Sequence, residues 1–280
     1  MSFVSLAGQA AESLFAVLFP SDCRFCGAPL IKISRLPVCE ECLFAMRPIV
    51  GGVCSICGEG LVSPSAFSGE HSEPRCGLCR RLEPPFAKAA AYGSYDGGLR
   101  ELIHLLKYEQ VRPAANVLGR MLSEVIGGLK PSFGDDSVVV IPVPLHPGKL
   151  RQRGFNQAEL IARATLKLKP AGEQLMLNSA VLGRRRDTQS QTGLSSHQRR
   201  ENIRGAFFVT RPRDVEAREV LLVDDVFTTG TTVSECARVL RRAGAARVWV
   251  ATVARTLKIN TQHAVPDQDE ESRLAMAAHG

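Results

Sequence analysis

The sequence lacks any run of about 18 consecutive apolar residues, the shortest stretch that reads as a membrane-spanning helix. We therefore expect no transmembrane segment. It also lacks the basic stretch, apolar core and small-residue cleavage site of a secretory signal. These two absences predict a cytoplasmic protein, with association at the inner face of the membrane left open.

The charge and the two ends of the chain add further limits. The 35 basic and 28 acidic residues leave a net charge of +7, which suits a polyanionic partner such as nucleic acid or a phosphorylated substrate. Residues 1–20 are mostly apolar at helical spacing and carry no Lys or Arg, so we expect a helix packed on the protein rather than on a membrane. Residues 258–280 are polar and net acidic, which predicts a disordered tail.

Cysteine is concentrated in one segment, since eight of the nine cysteines lie between Cys23 and Cys79. Two Cys-x-x-Cys pairs together supply the four thiolates of a closed zinc site, and cysteines clustered in a reducing compartment are more often metal ligands than disulfides. The spacing predicts a double zinc ribbon over residues 21–82 with two structural zinc ions. The ligands are Cys23, Cys26, Cys39, Cys42, Cys54, Cys57, Cys76 and Cys79.

Residues 21–82 have little periodicity and show no internal repeat apart from the cysteine pairs. We expect no core there without metal, so metal removal should unfold this segment and spare the rest of the chain. An iron–sulfur cluster is the main alternative, but the tighter cysteine spacing of ferredoxins is missing. Whether such a module contacts nucleic acid or protein is left open.

From residue 86 to 257 the chain alternates between helix and strand patterns. Short apolar strands between helices predict an α/β domain with a parallel sheet covered on both faces. The predicted helices cover 97–107, 113–126, 155–168 and 231–243, and the predicted strands cover 138–143, 205–209, 220–223 and 248–253, the last closing the sheet.

The most specific stretch runs from Val220 to Thr232, where an apolar strand ends in Asp224 and Asp225. The following Thr228-Thr-Gly-Thr-Thr232 opens a helix, whose N-terminal amides attract a phosphate. Two carboxylates at the carboxyl end of a parallel strand suit sugar hydroxyls or metal-bound water. The Gly-x-x-x-x-Gly-Lys pattern is absent, which excludes a Walker phosphate loop.

This stretch resembles the phosphoribosyl pyrophosphate (PRPP) signature of type I phosphoribosyltransferases. With the cysteine module in front of it, the chain resembles the ComF family, competence protein F and its relatives in DNA uptake. The resemblance implies a type I phosphoribosyltransferase fold, a parallel sheet flanked by helices, with Mg²⁺ accompanying PRPP. It implies that Asp224 and Asp225 hold the ribose hydroxyls and that the 5-phosphate is held by Thr228, Thr229, Gly230, Thr231 and Thr232.

Three further stretches are similar to the family. Ile141–Pro144 with Arg151 and Arg153 resembles the strand and loop that meet pyrophosphate. The arginine-rich run 184–194 resembles a flexible lid, with Arg185 as a catalytic candidate beside the two acids, although a solvated basic loop is the alternative. Lys107 matches a PRPP-binding position, but Glu109 and Gln110 follow where a glycine is more typical.

The resemblance implies an enzyme that transfers a phosphoribosyl group to an acceptor, which these residues do not identify. Two other functions use the same pocket without catalysis. One is a nucleic-acid-binding component of DNA uptake, with single-stranded DNA and DNA-uptake proteins as its partners, whose pocket holds a nucleotide or strand end. The other is a PRPP-sensing regulator.

Overall fold

The structure is a computed structural model that describes residues 21–30, 34–61, 73–186 and 203–257. The helix predicted over 1–20, the tail predicted over 258–280 and residues 187–194 of the predicted lid lie outside these ranges. None of the helices within them is long and apolar enough to cross a membrane.

The described residues form seven α-helices and eight strands. The helices are α1 (Glu40–Phe44), α2 (Gly77–Arg81), α3 (Gly97–Lys107), α4 (Ala114–Leu129), α5 (Pro147–Arg153), α6 (Gln157–Leu166) and α7 (Thr231–Arg242). The strands are β1 (Lys88–Ser94), β2 (Val138–Pro142), β3 (Pro170–Glu173), β4 (Leu175–Leu177), β5 (Leu182–Arg184), β6 (Phe207–Val209), β7 (Glu219–Phe227) and β8 (Arg247–Arg255).

The centre of the fold is a five-stranded sheet in the order β1-β8-β7-β2-β4. All four neighbouring pairs are parallel, which confirms the predicted α/β sheet. Strands β5 and β6 form a separate antiparallel pair. The strand predicted over 248–253 does not close the sheet, because β8 lies between β7 and β1, and β1 is the edge strand. Strand β1 was not predicted, since its Lys-Ala-Ala-Ala-Tyr-Gly-Ser sequence is rich in alanine, which has low strand propensity.

Alternating side chains of the sheet enter two cores. Leu221 and Val223 of β7 pack with buried residues of α3, α4 and α6 on one face. Val220 and Leu222 pack with α7 on the other face. This burial on both faces explains why the central strands are continuous apolar runs.

The order of the strands creates a crevice between β2 and β7. From β2 the chain proceeds to β4 on one side, and from β7 it proceeds to β8 on the other. Ligands of open α/β sheets bind where the strand order reverses, outside the carboxyl ends of the strands. The residues after β2 and β7 therefore form the candidate ligand site of the fold.

The cysteine segment packs directly on the sheet. The Ala89 amide of β1 donates to the Ile56 carbonyl at 2.7 Å, and the Ile49 amide donates to the Tyr92 carbonyl at 2.7 Å. These bonds cover the outer edge of β1, which would otherwise expose unpaired backbone groups. Cys23 belongs to the core under α3, whereas Cys54, Cys57 and Cys79 belong to the opposite core. This packing argues against the expectation that the rest of the chain is independent of residues 21–82.

Candidate functional site

The eight paired cysteines gather into two groups of four. The sulfur atoms within each group all lie within 4.8 Å of one another. The Sγ–Sγ distances are 3.9 Å for Cys23–Cys42, 3.7 Å for Cys26–Cys39 and 3.7 Å for Cys57–Cys76. Tetrahedral zinc with bonds of about 2.3 Å places its ligands about 3.8 Å apart. Each group, Cys23/Cys26/Cys39/Cys42 and Cys54/Cys57/Cys76/Cys79, therefore fits one zinc ion.

The two clusters share one local structure. In each, a glycine with positive φ follows the first pair, and its amide donates to the carbonyl of the first cysteine at 2.9 Å (Gly27 and Gly58). In each, the second pair starts at the N-cap of a short helix (Cys39 and Cys76). The cysteine module is thus an internal repeat. This repeat is not evident in the sequence, because the spacer between the two pairs is 12 residues in the first cluster and 18 in the second.

Backbone amides prepare the first thiol of each cluster to ionise. Burial raises the pKa of Cys23, but amide hydrogen bonds outweigh it and lower this pKa to about 6. The amide nitrogens of Cys39 and Phe25 lie 3.3 and 3.4 Å from its sulfur. The same balance lowers the pKa of Cys54 to about 7. Since the thiolate is the form that binds metal, these amides favour a bound cation.

Asp224 and Asp225 lie in β7 near its carboxyl end, in unlike surroundings. Asp225 is buried and forms an ion pair with the ammonium of Lys107, the last residue of α3. Burial raises the pKa of Asp225, but the charge of Lys107 outweighs it and holds this pKa below its ordinary value. Burial, and then the charge of Asp225, raise the pKa of Asp224 well above its ordinary value. Asp224 is thus the carboxyl group left for a cation or a ligand.

Lys107 was predicted to bind PRPP, and the structure places it inside the same site. Burial lowers its pKa, but the charge of Asp225 outweighs it and raises the pKa. The ammonium contacts a carboxylate here, so its immediate effect is to fix the orientation of Asp225. The sequence offers no signal for this pairing, because the two residues are far apart along the chain.

The loop Thr228–Gly230 joins β7 to α7, and Gly230 is the N-cap of that helix. Gly230 has φ +74°, and a Cβ added there would lie 2.5 Å from Cζ of Phe227. Only glycine fits both conditions. Glycine has no side chain to cap the helix, and the N-terminal end of a helix attracts an anion. The hydroxyl oxygens of Thr229 and Thr231 lie 2.7 Å apart at this helix end.

The loop after β2 lies beside the acidic pair. Its first residue, Val143, donates its amide to the Val223 carbonyl at 2.9 Å, and Asn156 donates to the Val143 carbonyl at 3.0 Å. The guanidinium of Arg153 lies 5.7 Å from the ring centroid of Tyr108, the residue after Lys107. Arg153 is therefore brought to the edge of the site, whereas Arg151 is exposed on α5.

Arg185 follows β5 and is not in contact with the acidic pair among the described residues. Its guanidinium lies 4.8 Å from the ring centroid of Phe208. The preceding Arg184 acts on the same residue as Asp224, namely Cys236 of α7. Burial and then the charge of Asp224 raise the pKa of Cys236, and the charge of Arg184 lowers it. The alternation of side chains along a strand could have identified Arg184 from the sequence, because Arg184 lies on the same face of β5 as the buried Leu182.

The fold and these residues define a phosphoribosyltransferase-type domain that carries a module of two four-cysteine sites. Residues 165–270 match the phosphoribosyl transferase domain family. One solved structure, a hypoxanthine phosphoribosyltransferase from Staphylococcus aureus, is 13% identical over 49% of this chain and 62% of its own. Its TM-score of 0.32 is too low to add to the assignment.

Full-length relatives identify the family. The DNA utilization protein YhgH of Escherichia coli O157:H7 is 34% identical over 85% of this chain and 98% of its own length. Competence protein F of Haemophilus influenzae is 29% identical over 85% and 98%, and competence protein ComFC of Bacillus subtilis is 25% identical over 86% and 94%. The chain belongs to the ComF family.

Proposed function

We propose that the protein binds PRPP with Mg²⁺ outside the carboxyl ends of β2 and β7 and transfers its phosphoribosyl group to an acceptor in the use of DNA. The observation that carries this proposal is the placement of a carboxyl group with a raised pKa, Asp224, beside a glycine-headed helix N-terminus. A phosphate and a sugar hydroxyl lie within one small ligand, so both features are needed close together.

In this proposal, different residues bind the 5-phosphate, the ribose and the pyrophosphate of PRPP. The amides and hydroxyls of 228–232 hold the 5-phosphate, and Asp224 and Asp225 accept hydrogen bonds from the ribose hydroxyls. Arg151 and Arg153 meet the pyrophosphate through charge-assisted hydrogen bonds. Mg²⁺, when bound, neutralises charge on the departing pyrophosphate, and carboxylates with substrate phosphates are its usual ligands. Arg185 supplies further positive charge to the same group.

We infer that each cysteine cluster holds one structural zinc ion. The sulfur–sulfur distances support this inference, because they match those of a tetrahedral zinc site. Four thiolates leave no coordination position for a substrate. The ions therefore stabilise the module rather than take part in the transfer.

The proposed link to DNA rests on relatives named for DNA utilization and competence. We propose single-stranded DNA and DNA-uptake proteins as partners. None of the nine cysteines forms a disulfide, which suits a reducing cytoplasm, with contact at the inner face of the membrane as part of the same proposal.

A non-catalytic function is the second candidate. Arg185, the proposed catalytic arginine, packs on Phe208 rather than beside the acidic pair. A protein that senses PRPP, or holds nucleic acid in this pocket, needs no charge at the leaving group.

Calorimetric titration with PRPP and Mg²⁺ tests the site. Asp224→Asn should abolish binding, because the substitution removes charge-assisted hydrogen bonds of about 1.5–3 kcal/mol each. Asp135→Asn, an exposed acid before β2, is the matched control and should bind as the wild type does. Equal binding by both variants would contradict the proposed site.

Pyrophosphate release then separates an enzyme from a regulator. The wild-type protein with bound PRPP is mixed in turn with nucleobases, amines and single-stranded DNA. Release with one of these acceptor classes supports transfer. Tight binding of PRPP with no release for any class favours the regulator.

A further inference from the structure

Arg255, the last residue of β8, joins the second cysteine cluster to the interior of the domain. Its side chain is buried, with 3% of the residue exposed. One guanidinium nitrogen donates to the Cys57 carbonyl, and the other terminal nitrogen lies 2.8 Å from a carboxylate oxygen of Glu59 and 3.8 Å from the Cys57 sulfur. A flat face of the same guanidinium lies 4.4 Å from the ring centroid of Phe227.

The ring of Phe227 is the floor of the phosphate loop. A Cβ at Gly230 would meet three of its ring atoms, the nearest at 2.5 Å. On another side the ring meets the edge of Phe86, with centroids 6.3 Å apart and planes at 87°. Arg255 and Phe86 both belong to the surroundings of the second cluster. A continuous series of contacts therefore leads from that cluster through the ring to Gly230.

We propose that Arg255 is a positioning residue that couples the Cys54/Cys57/Cys76/Cys79 cluster to the phosphate loop, so that zinc at the cluster and a phosphate ligand at the loop stabilise each other. The ligand half of this proposal rests on the proposed function. The two halves are reciprocal, because a coupling free energy acts equally on both ligands.

Only arginine supplies this connection. The guanidinium combines a planar fork of donors for the Cys57 carbonyl and Glu59 with a flat face for an aromatic ring. Lysine keeps the positive charge but cannot make both interactions at once. A buried charge without its partners is destabilising, so the loss of one interaction around Arg255 weakens the others.

The first test needs no ligand. In Arg255→Lys, amide hydrogen exchange over residues 226–232 should be faster than in the wild type while the zinc content stays at two ions per chain. Arg247→Lys is the matched control, because Arg247 is the exposed first residue of the same strand and pairs with Glu219 at 3.5 Å. Exchange in Arg255→Lys as slow as in Arg247→Lys would overturn the positioning role.

A second variant covers the case in which Arg255→Lys loses zinc. Glu59→Gln keeps the size of the side chain but removes the negative charge beside the guanidinium. It should speed exchange over 226–232 in the same direction, by a smaller factor. Unchanged exchange in Glu59→Gln, together with zinc loss in Arg255→Lys, would assign Arg255 to the cluster alone and overturn the coupling.

The second test measures the coupling itself. PRPP affinity of Arg255→Lys should fall by about 5- to 150-fold, the usual range of such couplings. In the wild type PRPP should slow the transfer of one zinc ion per chain to a chelator, and in Arg255→Lys it should not. Equal slowing in both proteins would overturn the proposal. If the wild type binds no PRPP, the proposed function is wrong, and the exchange measurement alone decides whether Arg255 positions the loop.

Discussion

At the scale of single residues, the adjacent acids of β7 have different environments because neighbours on a strand project to opposite faces. Asp225 meets Lys107 of α3, whereas Asp224 acts on Cys236 of α7. One carboxylate is neutralised by a cation within the protein, and the other is held with a raised pKa. A bound cation or a sugar hydroxyl would lower the cost of ionising Asp224.

This difference predicts that two similar substitutions have different effects on the free energy of unfolding. Asp225→Asn leaves the ammonium of Lys107 buried without its partner, which should lower the free energy of unfolding by about 3–5 kcal/mol. Asp224→Asn removes a carboxyl group that is costly to ionise, so stability at neutral pH should stay the same or increase. Urea unfolding of both variants measures this, and a stable Asp225→Asn protein would contradict the importance of the pair.

The raised pKa of Asp224 also predicts how pH affects binding and stability. PRPP affinity should increase as pH rises from the ordinary aspartate value, about 3.9, through the higher value in the folded protein, because the ionised carboxylate accepts hydrogen bonds from the ribose. The folded state holds its proton more tightly than the unfolded state, so the contribution of Asp224 to stability falls over the same pH range. Asp225 acts in the opposite direction, since its lowered pKa contributes stability that is lost as pH falls. Calorimetry across pH should show this rise in affinity for the wild type, and a flat wild-type profile would contradict it.

At the scale of elements, the phosphate loop depends on close contact between Gly230 and the ring of Phe227. Positive φ costs an ordinary L-residue about 1–2 kcal/mol, and overpacking a tight contact costs about 1–3 kcal/mol more. Gly230→Ala should therefore lower the free energy of unfolding by both amounts and abolish PRPP binding.

Gly172→Ala is the matched control for this prediction. Gly172 in β3 also has positive φ, +64°, but an added Cβ there meets nothing within 4 Å. This variant should show only the backbone cost and keep PRPP affinity. Thermal unfolding and calorimetry on the two variants separate the cost of strain from the cost of the ring contact. Equal losses in both variants would show that the ring of Phe227 is not involved.

The sequence predicted the features that are local along the chain. Helix α3 has the bounds predicted for it, 97–107, because its buried leucines recur at helical spacing. The sequence also predicted the two groups of cysteines, the position of Asp224 and Asp225 near the end of a strand, and the position of Gly230 at the start of a helix. Pairings across the sheet could not be predicted, and the Arg255–Cys57 contact joins residues 198 positions apart. Strand β1 was missed because its alanine-rich sequence has low strand propensity, and because contacts with the distant cysteine module cover its outer edge.

At the scale of the whole molecule, the two clusters of the cysteine module pack into the two main cores, one into each. One lies under α3 and the other lies on the face covered by α7. Ile49, which lies between the clusters, and Ile56, which lies within the second cluster, form backbone hydrogen bonds to the outer edge of β1. Small domains without a core of their own depend on metal for folding, and this packing predicts that the sheet shares that dependence.

Removal of zinc should therefore unfold more than residues 21–82. We expect a chelator to abolish protection of backbone amides in β1 and β8 as well as in the cysteine segment, because the covering hydrogen bonds and the partners of Arg255 disappear together. Hydrogen exchange measured before and after chelation tests this, with zinc replacement as the control for reversibility. Unchanged protection of β1 and β8 would show that the sheet is independent of the metal sites.

The net charge of +7 suits a polyanion such as DNA, and two of the exposed arginine pairs among the described residues distinguish a surface near the lid from one on the cysteine module. Arg185 and Arg186 are exposed directly after β5, where the predicted lid begins, and Arg80 and Arg81 are exposed on α2 of the second cluster. If DNA shares the pocket, Arg185→Ala with Arg186→Ala should weaken binding of single-stranded DNA at every sequence. It should also reduce the slope of log affinity against log salt by at most about 1.4, or about 0.7 for each phosphate that the protein no longer neutralises. PRPP should then compete with DNA, because two polyanions repel each other at one cationic surface.

The other pair gives the matched control for the same measurement. Arg80→Ala with Arg81→Ala removes an equal charge, so it should leave both the salt slope and the competition by PRPP unchanged if DNA binds at the pocket. Arg184 is kept in both double variants, because its guanidinium lies 5.3 Å from the ring centroid of Phe207 and supports the β5–β6 pair. The reverse pattern, a salt slope reduced only by the α2 variant and no displacement of DNA by PRPP, would place DNA on the cysteine module and leave the pocket to the nucleotide alone.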